Sequence, residues 1–71
     1  MQFDHSKLAG RIVEKFGSQR ALCAHIDWTE SKLSARMTNL VQFDADEIML
    51  LCAPDVLDIP SEEIPVYFFA L

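Results

Sequence analysis

SQRALCAHIDWTESKLSARMT, residues Ser18 to Thr38, reads as two short helices folded around a three-residue corner. Gly17 is a natural left-handed stop for whatever precedes it, and Ser18 is placed to cap the first of the two helices. In that helix Leu22, Cys23 and Ile26 share the buried side, which leaves Gln19, Arg20 and His25 more exposed. At the corner Asp27 tolerates the left-handed backbone of a tight turn, Trp28 supplies an apolar plug and Thr29 can cap the next helix. The alternative is that Asp27 caps, with Glu30 closing a capping box. The following helix, about residues 30–38, is weakly amphipathic. Leu33 and Met37 form a narrow inner edge, Ser31, Ala35 and Thr38 point the opposite way, and Ser34 and Lys32 lie on either flank. Short side chains on an outer face suit a helix that lies against another surface.

Outward from this stretch the pattern stays helical. Leu8, Ile12 and Phe16 recur every four residues, with Val13 beside Ile12, so residues 6–16 form an amphipathic helix that Ser6 or Asp4 caps. Gly10 within it suggests close packing against another helix. Residues 39–43 read as a loop with Val41 and Phe43 turned inward. Asp44-Ala45-Asp46-Glu47 is a capping box that opens a fourth helix, running to about Ala53 before Pro54 breaks it. Asp55 to Ile59 is expected as a further helical turn, and Ser61-Glu62-Glu63-Ile64 as a last short helix or turn. The apolar end, Val66 to Leu71, covers the core or a partner. The fold class is therefore all-α, a bundle of four to five short helices in one domain spanning 1–71.

Composition narrows the function. With 71 residues, 51% of them apolar, the chain has material for one small core. Two cysteines make no disulfide framework, and the N-terminus carries no apolar run of the signal-peptide kind, so a cytoplasmic, reduced protein is expected. The longest apolar stretch, Ile48 to Ala53, is far short of a membrane span. Residues 1–40 hold all six bases (Lys7, Arg11, Lys15, Arg20, Lys32, Arg36) against four acids, whereas residues 41–71 hold seven acids and no base. The net charge of −5 thus divides into a mildly basic half and a strongly acidic one. Cys23, Cys52, His5 and His25 lack metal-ligand spacing, so buried thiols and no cofactor are expected. Nothing resembles a nucleophile–base pair, a phosphate loop or a small-molecule pocket, which argues against an enzyme.

The corner has helix-turn-helix spacing. Counting Gln19 as first, apolar residues fall at the fourth, eighth, tenth and fifteenth places (Leu22, Ile26, Trp28, Leu33), and small Cys23 takes the fifth. On these residues, and on two flanking stretches, the chain resembles the small phage Cro and repressor-type helix-turn-helix proteins. The flanks are FD-x-S-K-L-x-G-R-I-V-E-K-F-G-S-Q at Phe3–Gln19 and I-P-x-E-E-I-x-x-Y-F-F at Ile59–Phe69. They resemble a subgroup of short phage switch proteins that includes modulators of repression and antirepressors. The resemblance implies a lambda-repressor-like domain acting in a genetic switch in the bacterial host, with 30–38 as the recognition helix on double-stranded operator DNA. By the same resemblance Gln19 binds a phosphate at the helix start, and Glu30, Ser31, Ser34, Ala35 and Thr38 read base edges. Arg20, Lys32 and Arg36 become backbone clamps.

Several residues depart from the family pattern. Asp27 stands where the corner usually has glycine, and Thr38-Asn39-Leu40 replaces an Asn-Gly-Lys whose lysine meets phosphate. Pro54-Asp55 looks like an insertion, and no arginine, asparagine or glutamine lies centrally on the reading face. These departures, with the acidic second half, support an alternative partner. In that reading the protein is an antirepressor or modulator of repression and grips a basic phage repressor rather than DNA. The Pro-Val-Tyr-Phe-Phe end also offers a seam for a homodimer.

Overall fold

The computed structural model describes residues 2–71, and among them every regular element is helical. In chain order these are α1 (Ser6–Phe16), α2 (Gln19–Ile26), α3 (Glu30–Met37), α4 (Ala45–Cys52), a single 3₁₀ turn at Ser61–Glu63, and α5 (Ile64–Phe68). The all-α fold expected from the sequence is the fold observed. α1 packs on α2 and α5, and α2 on α3.

Local chemistry sets most of the boundaries. Asp4 turns its carboxylate onto the Ser6 N–H (2.8 Å) ahead of α1, and Gly17 (φ 87°) ends that helix. Ser18 accepts from the Ala21 N–H to start α2. At the corner Asp27 is left-handed (φ 59°, ψ 41°), while Thr29, not Asp27, caps α3 by accepting from the Lys32 N–H. The capping box between Asp44 and Glu47 is complete.

The core unites the elements through Leu8, Ile12, Leu22, Cys23, Leu33, Ile48, Leu51, Leu57, Ile59 and Phe68. Four expectations are corrected. Val13 and Val41 are exposed, not inward. Gly10 does not mark a close helix approach, because a Cβ there would meet nothing within 4 Å. Residues 54–57 form a turn that leads into a left-handed Asp58 (φ 52°), rather than a helical turn over 55–59. Arg11 explains that shape: its guanidinium donates to the carbonyls of Leu57 (2.9 Å) and Asp58 (2.9 Å), satisfying acceptors that a helix would have used internally. His25 is likewise structural, donating from Nε2 to the Asp55 carbonyl at 3.0 Å.

Candidate functional site: the outer face of α3

The start of α2, the outer face of α3 and the residues just after it border an open hollow of about 530 Å³. It is lined by Gln19 from the start of α2, by Glu30, Ser31, Ser34, Ala35 and Thr38 from α3, and by Leu40 beyond it. Six of the nine residues singled out in the sequence therefore meet on one concave surface. The helical period places them there, since Ser31, Ser34, Ala35 and Thr38 project from one side while Leu33 is buried on the other.

The end of α3 shapes the rim. Asn39 is left-handed (φ 67°), the Leu40 N–H returns to the Ala35 carbonyl (2.9 Å) and the Asn39 N–H to that of Arg36 (3.2 Å). This is a Schellman closure with asparagine in place of glycine. Asn39 is held by an amide pairing across the fold. Its Oδ1 accepts from the Phe3 N–H at 2.9 Å, and its Nδ2 donates to the Phe3 carbonyl at 2.8 Å. Leu40 projects beside the hollow with 81% of its surface exposed. The Thr38 hydroxyl donates back to the Ser34 carbonyl (2.8 Å), so its donor is used within the helix.

The remaining three candidates lie off this surface. Arg20 is exposed and outside the hollow's lining. Lys32 and Arg36, one turn apart, both reach toward α4. Arg36 makes a two-armed contact with the Glu47 carboxylate, Nε–Oε1 and Nη2–Oε2 each at 2.8 Å, with both side chains largely shielded. Lys32 Nζ lies 3.9 Å from the same carboxylate and 4.3 Å from the centre of the Trp28 ring. Trp28 also faces the Arg36 guanidinium at 5.7 Å, so the corner plug doubles as a cation platform. The hydrogen bonds from Arg36 hold the Glu47 carboxyl below the ordinary glutamate range; burial opposes them, and the Asp44 N–H and both cations reinforce them. The hollow itself is thus lined by one acid, Glu30, and no base. Sequence reasoning did not anticipate the Glu47 anchor or the Asn39–Phe3 pairing. Asparagine just after a helix was the available signal for the second.

Nothing in this region gathers the donors of a metal site: among the described residues no three His, Cys, Asp or Glu side chains come together to hold an ion. Burial pushes the thiols of Cys23 and Cys52 up, which fits inert packing groups. Among the described residues no helix is long and apolar enough to cross a membrane.

The structure is thus an all-helical fold whose third helix presents a concave outer face lined by no base. The chain belongs to the family described as "Protein of unknown function (DUF739)", whose model matches residues 1–70. Its fold is similar to the solution structure of the modulator of repression (MOR) of the temperate bacteriophage TP901-1 from Lactococcus lactis. The TM-score is 0.78 and the identity 35%, over 97% of this chain and 90% of that one. The likeness is thus to a phage regulatory protein. No curated protein matches the chain.

Proposed function

We propose that this chain is a modulator of repression, which binds a phage repressor protein rather than operator DNA. The observation that carries this reading is the electrostatics of the α3 face. Phosphate contacts dominate the affinity of DNA-binding proteins and need free cations around the reading helix. Here the hollow presents Glu30, serines, alanine and an exposed leucine, while the two nearest α3 cations are committed to Glu47. A shallow face with an apolar edge and no base suits a protein surface, and the acid-only second half favours a basic partner such as a DNA-binding domain. The likeness to a phage modulator of repression supports the same choice.

The test is a mobility-shift titration on the DNA flanking this protein's own gene, at low and physiological salt, with and without a phage repressor protein encoded divergently beside it, where the genome holds one. The expected outcome is no shift by the protein alone and loss or change of the repressor's shift when both are present. A sequence-specific shift by the protein alone would overturn the reading in favour of an operator-binding switch protein.

A further inference from the structure

We propose that Glu47 acts as an internal counter-anion, occupying the fork of Arg36 and the charge of Lys32 that would otherwise meet phosphate, and so keeps α3 off DNA. The inference deepens the repressor-binding reading and rests on it: it names the residue that separates the two kinds of partner.

The geometry is that of a phosphate contact made inside the chain. A guanidinium recognises carboxylate and phosphate through the same two parallel N–H donors. Arg36 spends that pair on Glu47, both bonds at 2.8 Å, and its third group donates to the Lys32 carbonyl at 3.1 Å. Lys32 is drawn to the same carboxylate and held over Trp28. Both residues stand on the edge of α3 next to the outward-facing Ser31, Ser34 and Ala35, where a cation on a long stem would otherwise reach a backbone beside the helix. Glu47 is fixed for this task from its own side as well. As third residue of α4 it also accepts from the Asp44 N–H (3.1 Å) in the capping box, so its carboxylate cannot swing away without opening that helix end.

Glu47→Gln tests the assignment, because glutamine keeps the capping box while removing the charge. Binding of a fluorescent 20-base-pair duplex of random sequence is followed by anisotropy between 50 and 200 mM salt. Freeing two cations should steepen the salt dependence by about 1.8 in log–log slope, so that the affinity gained at 50 mM is lost by roughly tenfold more at 200 mM than in the parent. Adding Arg36→Gln to Glu47→Gln should remove about half of the added slope, since Lys32 stays free. Asp46→Asn makes the same change in net charge at an exposed neighbour and should leave DNA affinity at the parent level. Equal affinity and slope for Glu47→Gln and the parent would overturn the inference, as would an equal gain from Asp46→Asn. Should Glu47→Gln fold poorly, the same pair is compared in a Gly10→Ala background, since Gly10 faces open space. Repressor binding by the parent protein is measured in parallel. Its absence would sink the proposed function while leaving the DNA result to stand or fall by itself.

Discussion

Asn39 combines two structural roles that mutation can separate. It occupies the left-handed position that closes α3 (φ 67°), and its amide makes both hydrogen bonds to the backbone of Phe3. Alanine there loses the two bonds, about 1 kcal/mol each net for partly shielded groups, and tolerates the left-handed region less well than asparagine by about 1 kcal/mol. The sum for Asn39→Ala is about 3 kcal/mol, a large part of the stability of a domain this small. Asn39→Gly keeps the backbone conformation and loses only the pairing, for a cost of about 2 kcal/mol. Urea unfolding followed by far-ultraviolet circular dichroism at 25 °C, with linear extrapolation to water, measures both. The order expected is parent, then glycine, then alanine, with unchanged m-values. A glycine variant within about 0.5 kcal/mol of the parent would refute the claim that the Phe3 pairing holds the N-terminal segment against the end of α3. Equal stability of the two variants would instead refute the conformational part. Because Asn39 aims Leu40 at the rim of the hollow, both variants should also weaken repressor binding.

Gly10→Ala should stabilise the protein by about 0.5–1 kcal/mol and raise Tm by roughly 3–6 °C in a thermal melt, since the helix gains propensity and the new methyl meets no neighbour; a destabilised variant would contradict the open surroundings of Gly10. Leu40→Ser should raise the Kd for the repressor by roughly thirtyfold, the equivalent of about 2 kcal/mol of lost apolar burial. Its urea midpoint should stay unchanged, because Leu40 is 81% exposed in the free protein. Acid should destabilise the fold in a manner traceable to Glu47. Its folded-state carboxyl is held below the ordinary value, so its contribution is complete above about pH 4.3 and is lost as pH falls through the lowered folded value. Stability measured from pH 6 to pH 3 should therefore fall less steeply in Glu47→Gln than in the parent, and parallel curves would refute the assignment.

The expected reading face and the observed hollow agree in their α3 members for a simple reason. Ser31, Ser34, Ala35 and Thr38 belong to one helix, and the period of 3.6 residues alone puts them on one side. Gln19 joins them because the corner between α2 and α3 is short, which leaves the two helices little freedom in how they meet. Lys32 and Arg36 are different. A long cationic side chain on the edge of a helix can turn either way, and the direction depends on where the nearest anion stands. That anion, Glu47, is 11 residues further on, across a loop.

The same division runs through the whole chain. Helix positions, the left-handed Asp27, the Ser18 cap and the Asp44–Glu47 box are written in neighbouring residues, because capping and backbone preference act over three or four positions. The burial of Leu8, Ile12, Leu22 and Leu33 follows from periodicity for the same reason. Other facts needed the folded chain: Arg11 gripping carbonyls 46 and 47 residues away, His25 tied to Asp55, Asn39 paired with Phe3, and Arg36 taken up by Glu47. Each joins a side chain to a partner on a distant element, and such a pair exists only once packing has placed the two within reach. Counting bases in residues 1–40 shows a basic half. Three-dimensional pairing is what removes Arg11, Lys32 and Arg36 from that count and leaves the α3 hollow with a single acid and no base.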